Sequence, residues 1–248
     1  MENNRGLTGP VDLLKQSIEI TKQKAGVLYG ITAINLVLWI PFFLIAGVSF
    51  LVGLAVNRSG GLLAGGLIAL IVWIIFIFLS LRLQIALFAA IMNEFGFAQA
   101  FHASKGKIIR YFGTSFFSAI VIGLGFILLI IPGIICLVWY AFAPIIYLNE
   151  GISGWKALEK SKSYVSGRWW LVAWRLLFVV FVVWIVTFLV GIIGGRNTIG
   201  GIVGYLILFA MIPMIQVYNY LLYKNLKEIK EGVLEEAVPM SAPTPPMN

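Results

Sequence analysis

Charge is scarce in this chain: aspartate, glutamate, lysine and arginine together make up 11% of its 248 residues, against 60% hydrophobic residues. A soluble domain carries about 25% charge, so the polar surface needed to cover a water-soluble globule is missing and a soluble fold is excluded. The single cysteine, Cys136, cannot build an internal disulfide framework. The single histidine, His102, leaves neither a zinc set nor a Ser/His/Asp triad to assemble. No Gly-Lys-Ser/Thr follows Gly60-Gly61 or Gly194-Gly195, so a phosphate loop is absent as well. The apolar fraction also excludes a disordered chain. Together these absences argue against catalysis by this chain, and they point to no cofactor and no metal.

Long apolar runs are what the sequence does have. A helix needs roughly 20 residues to cross a hydrocarbon core of about 30 Å, and runs of that order occupy 27–56, 62–92, 111–131, 169–193 and 199–223. A shorter run at 134–149 follows Pro132-Gly133, a pair that predicts a tight turn. Residues 111–149 therefore read as a helical hairpin, with a re-entrant loop as the alternative for the short arm. The first apolar run begins after a polar stretch and is too long for a signal-peptide core, so no cleavable leader is expected. The resulting expectation is an all-α, polytopic membrane protein with six transmembrane helices. It divides into a cytoplasmic amphipathic segment at 1–26, a membrane domain at 27–230 and a disordered, proline-rich cytoplasmic tail at 231–248.

Basic residues give the expected orientation, because positively charged flanks stay on the cytoplasmic side. Fourteen of the 18 lysines and arginines fall before the first run, between the second and third, between the fourth and fifth, or after the sixth. The alternate loops hold only Arg58 and Arg196. All ten carboxylates lie on the same inner side. This predicts both termini inside the cell membrane, and it assigns the net charge of +8 to topology and to attraction for anionic inner-leaflet lipid. Nucleic acid is not an expected partner.

The chain also repeats itself. Leu14-Lys15-Gln16-Ser17, Phe101-His102-Ala103-Ser104 and Leu158-Glu159-Lys160-Ser161 each precede basic residues, a glycine and aromatics at the start of an odd-numbered run. Met92-Asn93-Glu94 and Leu148-Asn149-Glu150 end two even-numbered runs alike. These spacings predict three tandem helical-hairpin repeats, each preceded by a short amphipathic helix. Val11, Leu14, Ile18 and Thr21, and likewise Ile152, Trp155, Leu158 and Val165, recur at three or four residues as an apolar stripe. Such helices lie in the membrane interface or extend the spanning helices; Gly26, Gly113 and Gly167 favour the former by offering bends. Trp155, Arg168, Trp169, Trp170, Lys105, Lys107 and Arg110 are the expected interfacial anchors.

Two cations lie inside apolar runs, where charge is costly and usually faces a cavity or a partner. Arg82 stands eleven residues before Asn93, about 16 Å along a helix. With Gln84, Arg175, Gln216 and Asn219 it forms a candidate polar pocket in the inner half of the membrane. The alternative is that the arginines reach lipid phosphates while the amides bond neighbouring helices. Gly61 with Gly65, Gly191 with Gly195 and Gly200 with Gly204 are small-xxx-small pairs that predict close packing within the chain ahead of dimerisation. Pro41, Pro144 and Pro213 are expected to kink their helices.

The stretch from Glu150-Gly151-Ile152-Ser153-Gly154-Trp155-Lys156-Ala157-Leu158-Glu159-Lys160-Ser161 to Gly167-Arg168-Trp169-Trp170 resembles the membrane-domain family of glycerophosphoryl diester phosphodiesterases and related six-helix prokaryotic proteins. Leu221-Leu222-Tyr223-Lys224-Asn225-Leu226-Lys227 is similar to that family's closing motif, with Asn225 and Lys227 where aspartate and arginine are commoner. The resemblance implies a six-helix membrane fold. In fused members the catalysis belongs to a soluble barrel, which is not found in these 248 residues, so no activity is implied for any residue here. The expected function is a non-catalytic scaffold that contacts membrane lipids or partners another membrane or envelope component. A small permease or lipid-handling transporter is the rival reading, and an enzyme working through a partner subunit is a third.

Overall fold

The computed structural model describes residues 6–55, 59–194 and 198–237. They form ten helices in the order α1 (Pro10–Gln23), α2 (Ala25–Ala55), α3 (Ser59–Met92), α4 (Phe97–Ala103), α5 (Ile108–Leu128), α6 (Ile130–Tyr140), α7 (Ala143–Glu150), α8 (Trp155–Val165), α9 (Trp169–Gly194) and α10 (Thr198–Ala237). No strand occurs among the described residues. Six segments are long and apolar enough to cross a membrane: parts of α2, α3, α5, α9 and α10, and the composite Ile130–Glu150 made of α6 and α7. This architecture is compatible with a multi-pass membrane protein.

The longest pairings are α2 with α3, α5 with α6, and α9 with α10. Glycines set how closely these pairs approach. A Cβ on Gly65 would stand 2.5 Å from the Ser49 carbonyl oxygen of α2, and one on Gly204 would run into Val190 of α9. Both glycines pack within the chain. Gly191 has open space around it, and Gly195 lies outside the described residues.

Packing is concentrated at one end. The second half of α3 is buried at Leu83, Ile85, Ala86, Leu87, Phe88, Ala90 and Ile91. It joins α7, α8 and the stretch of α10 from Val217 to Ile229 in a shared core. Elsewhere, large side chains of α2, α3, α9 and the start of α10 stand exposed, from Ile34 to Val52, Leu67 to Phe78, Trp170 to Ile192 and Tyr205 to Ile212. Leaving so much apolar area in water would be costly. The short helices that precede the three hairpins pack at the core end: α1 against α10, α4 against α3, and α8 against α6 and α7.

Several boundaries differ from the sequence expectation. The turn of the second hairpin falls at Leu129, which is extended (φ −167°, ψ 157°), and Pro132-Gly133 lies inside α6. Proline is tolerated there because first-turn amides have no intrahelical partner. Gly133 is needed for close approach, since a Cβ on it would overlap the Phe126 ring. Helix α10 runs to Ala237, so 231–237 is helical, and 238–248 lies outside the described residues. Helices α2 and α10 continue through Pro41 and Pro213, whereas Pro144 opens α7 just after the break at Ala141–Phe142.

The bends and stripes also move. Gly113 is interior to α5, and the bend before α5 uses Gly106 at φ +77°; Gly167, at φ +83°, does turn the chain between α8 and α9. In α1 the buried face is Leu13, Ser17 and Thr21, with Val11 and Ile18 exposed. In α8 it is Ala157, Leu158, Ser161, Tyr164 and Val165, with Trp155 exposed. Hydroxyls can take these inward positions because each bonds a nearby carbonyl: Ser17 to Leu14 O at 2.7 Å and Thr21 to Ser17 O at 2.6 Å.

Candidate functional site

The two cations inside apolar runs are each held by groups of this chain. After Met92 the chain turns and α4 folds back along α3, which brings Phe101 and Ser104 to Arg82. The guanidinium carbon lies 4.0 Å from the Phe101 ring centroid, and Nε donates to Ser104 Oγ at 3.3 Å. Ser104 is fully buried and donates in turn to Phe101 O at 2.6 Å. A cation over an aromatic face with a hydroxyl at its edge has attraction on both sides.

Arg175 is 6% exposed and sits on α9 against the start of the chain. Its Nε donates to Thr8 O at 2.8 Å, Nη2 to Leu7 O at 2.7 Å and Nη1 to Leu171 O at 2.8 Å. Thr8 N donates to Asn225 Oδ1 at 3.0 Å. The N-terminal segment is thereby clamped between α9 and α10. From α10, the Tyr218 hydroxyl donates to Arg175 O at 3.1 Å.

The other members of the expected pocket lie elsewhere. Gln84 lines a cavity of about 120 Å³ between α2, α3 and α10, together with Thr32, Asn35 and Ile212. Asn219 lines a different cleft with Leu137, Leu176 and Ile215. Gln216 is half-buried on α10. Among the described residues no hydrogen bond joins any two of the five side chains, and the two arginines have separate sets of partners. Of the expected anchors, Trp155 and Trp170 are exposed, as are Lys105, Lys107 and Arg110. Arg168 is half-buried, and Trp169 donates to Ile135 O at 3.5 Å.

A cluster that the sequence analysis did not single out is centred on Glu150, the last residue of α7. Its side chain is 7% exposed and pairs with Lys160 of α8 and with Lys227 of α10 at 3.4 Å. Tyr223 donates to its Oε1 at 2.6 Å and Tyr164 at 2.9 Å, while Asn149 donates to the Tyr223 hydroxyl at 2.9 Å. Glu231 stands 3.8 Å from Lys227, so two carboxylates balance two ammonium groups. Burial, followed by the Glu150 carboxylate it bonds, pushes the Tyr164 phenol above the ordinary tyrosine range. It is held as a donor. A carboxylate accepting this many bonds is a poor base, and its environment fits a lock between helices better than a proton-transfer site.

The signal for this cluster was present in the two segments that carry the family resemblance. Glu150 and Lys160 belong to one, and Tyr223 and Lys227 to the other. Separated by more than 60 residues in the chain, they meet at one carboxylate. Among the described residues no three His, Cys, Asp or Glu gather to hold a metal ion. The chain matches no protein-family model, no curated protein and no solved structure.

Proposed function

We propose that this protein is a non-catalytic, lipid-contacting scaffold of the cytoplasmic membrane, with both termini inside, that organises lipid or a partner membrane component around three helical-hairpin repeats. The observation that carries this reading is the internal use of Arg82 and Arg175. Each cation in an apolar run is tied to serine, an aromatic face or backbone carbonyls of the same chain. The Glu150 cluster supports it too, because its carboxylate, lysines and tyrosines bond one another between helices.

The repeat interpretation draws on a cyclic pattern of packing. Each short helix precedes one hairpin and lies against the second arm of another: α4 on α3, α8 on α6 and α7, and α1 on α10. The three equivalent serines, Ser17, Ser104 and Ser161, are all fully buried. An interfacial position for α1 and α8 is favoured by Val11, Ile18 and Trp155, which remain exposed beside lysines. Where hairpins adjoin, apolar clefts open that suit acyl chains: about 450 Å³ between α3 and α5, lined by Trp73, Phe78 and Phe112, and about 690 Å³ between α6 and α9, lined by Ile135, Trp139 and Trp170. The permease reading is favoured by the small cavity in which Thr32, Asn35 and Gln84 meet among mainly apolar side chains.

Reconstitution separates the two readings. In proteoliposomes the protein is expected to pass no anion of a broad panel faster than protein-free vesicles, and flux lost on Gln84→Leu would overturn the scaffold. In native mass measurements, joint replacement of Lys105, Lys107 and Arg110 by glutamine is expected to reduce retained anionic phospholipid several-fold; unchanged retention would remove the lipid-contact role.

A further inference from the structure

The tips of the three long hairpins differ in chemistry. By sequence, the first connection reads Val56-Asn57-Arg58 and the third Gly195-Arg196-Asn197, each containing a cation and an amide, and both lie outside the described residues. The second reads Ile127-Leu128-Leu129-Ile130-Ile131, and these five side chains are 69–82% exposed. From Ala119 to Val138 no side chain is charged or carries a hydroxyl or amide. A turn emerging into water would present five large aliphatic groups to it, against an apolar transfer term of about 25 cal/mol per Å².

The backbone of this turn also has fewer open amides than most helix starts. A helix start ordinarily leaves four amides without intrahelical partners. Here Leu129 N donates to Gly125 O at 3.1 Å and Pro132 has no amide hydrogen to satisfy, so two of the four, Ile130 N and Ile131 N, remain before Gly133 N closes the first helical bond on Leu129 O at 3.2 Å. Glycines draw the arms together, since a Cβ on Gly125 would lie 3.0 Å from Gly133 Cα.

Each arm has 21 residues, Ile108–Leu128 and Ile130–Glu150, but only part of each lies beyond the packed end. Helix α6 has 11 residues, about 16 Å, before the break; beyond it Ala143, Ile145, Ile146 and Tyr147 of α7 are in the core. On the other arm Thr114 accepts from Gly154 N at 2.9 Å, so α5 up to Thr114 runs beside the loop that follows α7. That leaves residues 115–128, about 20 Å, against a hydrocarbon layer of about 30 Å. Trp169, which opens α9, bonds Ile135 O, within two turns of the tip.

We propose that the α5–α6 hairpin is re-entrant: it enters and leaves at the same membrane surface, and its tip at Ile127–Ile131 is covered by lipid acyl chains. This rests on the membrane orientation proposed above. The chain then crosses the membrane fully four times, and because the hairpin returns to its starting side, the distribution of basic residues is the same for either topology.

Single-cysteine variants of the full-length protein in sealed vesicles test this, with Cys136→Ala as background. Asn57→Cys and Asn197→Cys are expected to react with a membrane-impermeant maleimide from the face opposite the termini. Leu129→Cys is expected to react at least about tenfold more slowly from either face, because the reactive thiolate forms only in contact with water, and to react once detergent is added. A nitroxide at position 129 should then be relaxed by oxygen and not by a water-soluble nickel chelate; Ile127→Cys serves if Leu129→Cys does not fold. Labelling of position 129 at the rate of positions 57 and 197, from their face, would overturn the re-entrant hairpin and leave the orientation standing. Positions 57 and 197 reacting from the face of the termini would instead overturn the orientation.

Discussion

Arg175 places three donors on carbonyls of two segments that are far apart in the chain, and its removal has a defined consequence. In the Arg175→Ala variant Leu7 O and Thr8 O lose their charged donor in a buried setting. Hydrogen bonds to charged groups contribute about 1.5–3 kcal/mol, so a loss of about 3 kcal/mol in unfolding free energy is expected. Amide exchange should accelerate over residues 7–13 before it does so elsewhere. Arg175→Lys should recover only part of this, because one ammonium cannot reproduce the planar fork that reaches both carbonyls. If exchange over 7–13 is unchanged in the alanine variant, the arginine is not the clamp. The clamp was illegible in the sequence for a physical reason. Arg175 was visible as a cation out of place, but its partners are backbone atoms of Leu7 and Thr8, which carry no side-chain signature. Glu150 stood in a segment marked by its resemblance, but the convergence on it did not show, since its polar neighbours come from separate helices whose approach no local spacing encodes.

At the scale of elements, the glycines make a matched pair of tests. Gly65 faces the Ser49 carbonyl of α2, so Gly65→Val must push α2 and α3 apart; overpacking of this kind costs about 1–3 kcal/mol. Gly66 has open space where a Cβ would stand, and Gly66→Ala should stabilise the helix by about 0.5–1 kcal/mol. Thermal unfolding in detergent is expected to move in opposite directions for these adjacent positions, and equal shifts would contradict the pairing of α2 with α3. The close approach was legible because small residues at four-residue spacing admit it. Which residue faces the partner was not, and the same gap explains α1. There the period of the stripe was correct in kind, but the face actually buried is Leu13, Ser17 and Thr21, because hydroxyls satisfied by their own helix can pack against α10 as small apolar groups do. The turn of the second hairpin was misplaced by about three residues because Pro-Gly is a turn signal and a first-turn helix signal at once.

Across the whole molecule, cohesion between hairpins comes from the core end, where α1, α4, α7 and α8 fill the space between α3 and α10, while the outward ends touch mainly within each hairpin. Helix α10 therefore matters past the end of its apolar run. Leu226 and Ile229 are buried at 1% and 7% exposure, Asn225 holds Thr8, and Lys227 holds Glu150. Ending the chain after Tyr223 removes all four groups. Burial of the two aliphatic side chains alone is worth about 1.5–3 kcal/mol each, and Glu150 would keep only one of its two cations. Ending it after Gly232 removes none of them. The shorter protein is expected to lose its monodisperse elution in mild detergent and its protection at residues 7–13, and the longer one to keep both. Equal behaviour of the two truncations would show that the hairpins hold together through their outward ends instead.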